Sequence, residues 1–224
     1  MIFLLQERTS PKPASKKIKL IPAIEVRPKA WKLPRSSFDY VMISSPRALL
    51  NLKKWPQAKN YIAIGRATAK SLKKCPFKVI VLKTSNSAGI LNFFKSKSAG
   101  RIFFPRSPRS DSKLVRELRA LGHQVHVRHT YQTHLLPLKS YSRLLFGGQA
   151  DAIMISSPSC FQALEKSFGL AKLRRLDCRW VAIGPTTSEF LRRRLGLKPL
   201  VAKEPSWTGM LSAFLTSLKK NSKH

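Results

Sequence analysis

Short apolar runs punctuate the chain, and each is followed by a turn and then by apolar residues at helical spacing. YVMI (40–43), YIAI (61–64), RIFF (101–104), AIMI (152–155) and VAI (181–183) are too short for helices and rich in residues that favour strands. Ser-Ser-Pro follows the first and fourth of them. Pro46 and Pro158 suit the first position of a helix, where a missing N–H costs nothing, and the serines before them can cap free amides. Gly65 and Gly184 permit a tight turn after the second and fifth runs and place Thr68 and Thr187 in a first helical turn. Strands alternating with helices predict parallel sheets covered on both faces.

The pattern is stated twice. FDYVMISSPRALLNL returns as ADAIMISSPSCFQAL, YIAIGRATAKSL as WVAIGPTTSEFL, and KVIVLKTSNSAGILNFF as KPLVAKEPSWTGMLSAF, at offsets of about 112, 119 and 120 residues. Such a period is far too long for a solenoid and reads as two copies of one α/β domain. The expected fold is α/β, two flavodoxin-like doubly wound parallel-sheet domains joined by a two-stranded β ladder. A further unit supplies strand RIFF, the helix SKLVRELRAL closed by Gly122, and a strand QVHVRHTYQ. That last strand and the earlier IKLIPAIEVRP read as paired linker strands, over 123–137 and 18–35. One domain then covers 36–125, and the other is built from the two ends, 1–24 and 132–224.

At 224 residues the chain has room for two domains of roughly 100 residues, each with its own core. A hydrophobic fraction of 43% excludes a disordered chain, and no run approaches the roughly 20 apolar residues that span a bilayer. MIFLLQERTSP lacks the basic start and cleavage site of a secretory signal, so a soluble, cytoplasmic protein without membrane contact is expected. Cys75, Cys160 and Cys178 form no metal or disulfide spacing and are expected to be reduced thiols. Forty-three Lys and Arg against ten Asp and Glu give +33, a field that favours polyanions, spread along both repeats rather than gathered in one tail.

Parallel sheets set Ser44, Ser45, Thr68, Ser156, Ser157, Thr186 and Thr187 at carboxyl ends of strands, beside helix starts, where ligands of open α/β sheets bind and exposed amides attract carboxylate or phosphate. The expected site is a cleft between the two domains. His123, His126 and His129 recur every third residue, but on a strand they cannot close around one metal ion and read as solvent-facing histidines. Asp39 and Asp151 precede their strands, at the opposite edge, and read as structural. No dinucleotide glycine turn, phosphate loop or nucleophile elbow is present. Tyr131, in HTYQTH, is placed to donate a proton or to pack.

The order of these motifs resembles the uroporphyrinogen-III synthase family. That family's linker strand, D-x-x-x-F-T-S-P, V-G-x-x-T-A, L-P-R and Y-R-T motifs, and second serine and glycine motifs, read here as IKLIPAIEVRP, DYVMISSPRA, AIGRATA, FFPRS, YQT, DAIMISSPS and AIGPTTS, from about Ile18 to Thr216. The resemblance implies dehydration and cyclisation of hydroxymethylbilane, a linear tetrapyrrole with eight carboxylates, with inversion of ring D and no cofactor. Carried over by position, Tyr131 would be the proton donor. Ser44, Ser45, Gly65, Thr68, Arg106, Ser156, Ser157, Gly184, Pro185, Thr186 and Thr187 would bind substrate. A monomer in transient contact with hydroxymethylbilane synthase is implied. The chain departs from the family at RTSPKPASKK, too short and proline-rich for the usual first helix. Ser44 and Ser156 stand for threonine, and Gln132 for arginine. A degenerate, noncatalytic paralogue or a basic nucleic-acid-binding protein on the same scaffold is the alternative.

Overall fold

The structure is a computed structural model describing residues 1–13, 17–50, 52, 54–82, 87–108, 112–148 and 150–221. In chain order it contains β1 (Ile2–Glu7), β2 (Ile18–Pro28), β3 (Phe38–Ile43), β4 (Ala58–Ile64), α1 (Arg66–Ser71), β5 (Lys78–Leu82), α2 (Ser87–Lys95), β6 (Arg101–Arg106), α3 (Lys113–Ala120), β7 (Gln124–His129) and β8 (Tyr131–Leu135). There follow α4 (Ser142–Phe146), β9 (Ala152–Ile155), α5 (Pro158–Phe168), α6 (Leu170–Arg174), β10 (Arg179–Ala182), α7 (Pro185–Leu195), β11 (Leu200–Val201) and α8 (Trp207–Asn221). The chain divides into two compact units, Met1–Glu25 with His134–His224, and Val26–Thr133.

The central unit, Val26–Thr133, is built on a five-stranded sheet of order β5-β4-β3-β6-β7, every neighbouring pair parallel. Alternate residues of each strand enter different cores. Met42, Ile62, Ile64, Ile102 and Phe104 pack on one face, and Val41, Ile43, Tyr61, Ala63 and Phe103 on the other. This period of two is what a strand buried on both faces requires.

The terminal unit carries the sheet β11-β10-β9-β1-β2-β8. From β11 to β2 every pair is parallel. Here too the faces alternate: Phe3, Leu5, Ile153 and Ile155 on one side, Ile2, Leu4, Ala152 and Met154 on the other. In chain order its five parallel strands read 2-1-3-4-5, the flavodoxin-like order. The central unit has the same arrangement entered at a different strand, so its own order reads 3-2-1-4-5.

In both sheets the direction of winding reverses at one place, between β1 and β9 in the terminal unit and between β3 and β6 in the central one. At such a switch point the connections leave in opposite directions and open a crevice at the carboxyl ends of the strands. Both Ser-Ser-Pro motifs follow a strand that borders the switch.

Several expectations are corrected. Residues 124–129 are not linker: β7 pairs with β6 along its length, from Arg101↔Gln124 to Arg106↔His129. QVHVRHTYQ is therefore two strands, broken at Thr130, with β7 in the central sheet and β8 beside β2 in the other. After Pro46 the apolar run makes only a 3-10 turn, Pro46–Leu49, whereas its counterpart after Pro158 makes the full helix α5. Trp55-Pro56 lies close downstream in the first copy, and a residue before proline is pushed out of helical conformation. Between β1 and β2 no helix occurs among the described residues. Positions 14–16 of that connection, and 83–86 of the third repeated segment, lie outside the described residues.

Candidate functional site

Ser45 and Ser157 are both extended, with φ −157° and ψ 142° at the first and φ −168° and ψ 159° at the second. Both serines cap as their sequence suggests. Ser157 Oγ accepts from Cys160 N at 3.4 Å, and Ser45 Oγ accepts from Arg47 N at 3.3 Å, with Pro158 and Pro46 opening the helical turns. Ser44 is exposed; Ser45, Ser156 and Ser157 are half-buried. Ser156 N donates to Leu5 O at 3.1 Å, which ties the end of β9 to β1 across the switch point.

At the central switch point β3 and β6 pair at Tyr40↔Ile102 and Val41↔Phe103, and β6 ends at Arg106. Arg106 is only 5% exposed, and its guanidinium lies 4.8 Å from the Phe104 ring centre, so a buried cation borders this edge. Thr130 N donates to Arg106 O at 3.2 Å, and Thr130 Oγ1 donates to Ala48 O at 3.3 Å. The threonine thus fastens the Pro46–Leu49 turn to the strand end beside it. Ser107 and Thr130, both buried, were not singled out by sequence, because each takes its place through strand order.

The glycine turns diverge in backbone and agree in outcome. Gly65 has φ +84°, a conformation favouring glycine, whereas Gly184 is extended. Ala69 N donates to Gly65 O at 3.1 Å and Ser188 N to Gly184 O at 3.0 Å. Thr68 and Thr187 are each the third residue of their helices and are buried, while Pro185 and Thr186 are exposed.

Tyr131 opens β8 at 7% exposure, in the buried cluster that contains Ile43, Ala48 and Phe103. It thus belongs to the same core as the turn after β3.

The histidines divide. His123 is not solvent-facing: it is buried, its Nδ1 accepts from Gly100 N at 3.1 Å, and its ring meets Phe94 edge-on. His126 is half-buried against Phe38, its Nε2 buried without a hydrogen-bond partner, and burial followed by Arg101, Arg128 and Arg119 lowers its pKa. His129 is exposed. Among the described residues no cluster of His, Cys, Asp and Glu fits a metal ion. Asp39, inside β3 rather than before it, pairs with Lys59 and accepts from Arg101 N; Asp151 pairs with the amino terminus. All three cysteines are thiols, and burial raises Cys75 and pushes Cys178 up to about 12, which keeps both of these protonated. No described helix is long and apolar enough to cross a membrane.

Two largely parallel sheets, each with a serine-capped helical turn at its switch point, define a duplicated α/β protein of the doubly wound class. The profile described as Uroporphyrinogen-III synthase HemD matches residues 17–212. The chain belongs to the uroporphyrinogen-III synthase family, enzymes of tetrapyrrole biosynthesis. Among solved structures it is similar to uroporphyrinogen-III synthetase from Helicobacter pylori 26695, with TM-score 0.68 and 21% identity over 96% of this chain and 98% of that one. It is also similar to a mutant uroporphyrinogen III synthase from the extremely thermophilic bacterium Thermus thermophilus, with TM-score 0.67 and 17% identity over 98% and 99% of the two chains. These likenesses concern the fold. A search of curated proteins gave no match.

Proposed function

We propose that the chain is a cofactor-free hydro-lyase that dehydrates hydroxymethylbilane and closes it to uroporphyrinogen III with ring D inverted. The observation that carries this reading is the coincidence of both Ser-Ser-Pro turns with the strand-order switch points, in a chain whose family makes tetrapyrroles. Helix starts offer amides and hydroxyls to carboxylates, and the substrate is a polycarboxylate. A net charge of +33 adds a long-range attraction for it.

In this reading Ser45, Thr68, Ser157 and Thr187, with Ser44, Ser156, Thr186 and the turns at Gly65, Gly184 and Pro185, take up substrate carboxylates, and Arg106 supplies fixed positive charge. Tyr131 gives a proton to the terminal hydroxyl as its C–O bond breaks, so water departs and a protonated azafulvene remains, its positive charge shared with the pyrrole nitrogen. Holding the chain so that the spiro intermediate forms before direct closure is then the main contribution of the protein, a matter of orientation. Hydroxymethylbilane also closes unaided, to the type I isomer. Rapid transfer from hydroxymethylbilane synthase to a monomer in the cytoplasm accords with that lability.

A second reading, a noncatalytic or nucleic-acid-binding relative, rests on the short connection between β1 and β2 and on the charge. Separation of type I and type III products after incubation with fresh hydroxymethylbilane decides between them. Nucleic-acid binding would fall steeply with salt and ignore Tyr131.

A further inference from the structure

The duplication lets one unit serve as a template for the other. By its place in the sheet β1 is to β9 what β6 is to β3: Ile2 pairs with Ala152, Ile102 pairs with Tyr40, and Ala152 and Tyr40 match in the repeat. The repeat also matches Phe214 of α8 to Phe94 of α2. In the central unit the connection after β6 forms α3, which packs against α2 and buries Leu114, Val115 and Leu118. Leu118 is fully buried in one cluster with Phe94 and Ile102. After β1 the equivalent connection has no helix among the described residues, and Ile2 and Phe214 line an open cavity of about 770 Å³ with Lys17, Arg179, Leu215 and Leu218.

The helix beside that cavity is also extended. α2 ends at Lys95, whereas α8 continues to Asn221. Lys95 and Ser98, both exposed, follow Phe94 by one and four positions; at the same distances from Phe214 stand Leu215 and Leu218, 47% and 43% exposed. Residues three apart share one side of a helix, and here that side borders the cavity. The border is basic. Lys17, Arg179 and Lys219, one turn beyond Leu215, are exposed there against Asp177, since Asp151 pairs with the amino terminus. A second copy of this chain would bring a further +33 and be repelled, whereas an acidic surface is attracted.

We infer that this cavity is a docking site for an amphipathic helix of an acidic partner protein. The apolar side chains of that helix take the place that α3 holds in the central unit, and its acidic face meets Lys17, Arg179 and Lys219, a helix-in-groove mode of recognition. The inference stands apart from the proposed function. Ile2 and Arg179 open β1 and β10, so the cavity lies at the amino ends of these strands, away from the Ser-Ser-Pro turns.

The probe is a synthetic helical peptide with leucine, valine and leucine at the spacing of Leu114, Val115 and Leu118 and glutamate on its other side, labelled for fluorescence anisotropy. Two control peptides scatter the same apolar residues around the helix or replace glutamate with lysine. Wild type is compared with the double variant Leu215→Lys with Leu218→Ser, which carries at these positions the residue types of the central unit. Wild type should bind the probe about 10-fold more tightly than either control, and the double variant should bind it about 10-fold more weakly, as loss of two partly buried leucines requires. Should the double variant fail to fold, Leu215→Ser alone takes its place, with about 3-fold weaker binding expected.

Equal binding of the probe and the scattered control would mean that charge alone holds them, and equal binding by wild type and variant would place the peptide elsewhere; either result overturns the inference. So does a wild-type dimer that the double variant loses in sedimentation, which assigns the cavity to a second copy. Wild type that binds decanoate, a small apolar acid, but not the probe overturns it as well.

Discussion

Thr68 and Thr187 hold one position in two separate units: each is the third residue of the helix that follows a glycine turn, and their exposures are 2% and 3%. With glycine at the cap position, neither helix start has a side-chain cap. A hydroxyl kept at both helix starts, on side chains buried as fully as apolar ones, is the feature to test. If these hydroxyls bind substrate, Thr68→Val and Thr187→Val should each weaken binding with little change in melting temperature, since the replacement keeps the volume. If they serve only the helix, stability falls by roughly 1 kcal/mol and affinity stays. A thermal melt with a substrate titration separates the outcomes, and a binding defect confined to one variant would mean that only one unit captures substrate.

Tyr131→Phe should lower kcat by about 10² to 10⁴-fold if the phenol donates a proton to the leaving hydroxyl. The ring remains to fill its place beside Ile43, Ala48 and Phe103, so the fold should persist. An unchanged kcat assigns the tyrosine to packing.

Asp39 accepts a backbone hydrogen bond from Arg101 at 2.8 Å and pairs with Lys59 at 2.8 Å, and these contacts, Lys59 first, hold its pKa below the ordinary carboxylate value. A lowered folded pKa means that the contribution is whole above the unfolded value, about 4, and disappears as pH falls through the folded one. Asp39→Ala should cost about 1–3 kcal/mol at neutral pH, mostly from the stranded Arg101 N–H rather than from the exposed Lys59 pair. Chemical denaturation at pH 7 and pH 3 checks it: the gap between variant and wild type should narrow in acid, and a constant gap would contradict the assignment.

His126 titrates the other way in charge and the same way in stability. Burial, then Arg101, Arg128 and Arg119, disfavours its imidazolium, so the unfolded chain takes up a proton first as pH drops below about 6.5. The nearby His129 is lowered by burial, Lys29 and Arg106. The wild-type melting temperature should therefore decline between pH 7 and pH 5, and His126→Phe should flatten part of that decline. Parallel curves for the two proteins would remove His126 from the account.

What the sequence disclosed was what neighbours in the chain determine. Proline at the first helical position with serine before it yields a capped turn in both copies, and the apolar runs YVMI and AIMI give strands buried on both faces. The first copy stops after one turn for reasons partly remote: Thr130 Oγ1, which holds Ala48 O, is 82 residues away in sequence. His123 looked like a strand histidine facing water because its partners, Gly100 and Phe94, come from other elements. The break at Thr130 was equally hidden, since whether β7 and β8 share a sheet depends on strand order. Strand order is also what puts β3 beside β6 and Ser156 beside Leu5, and no local pattern encodes it.

The most direct measurement is the isomer ratio formed from freshly generated hydroxymethylbilane, with and without the protein, resolved as the oxidised porphyrins. The account predicts predominantly type III product with the protein and type I without it. Type I product at the uncatalysed rate in both samples would contradict it, whatever polycarboxylates the protein binds.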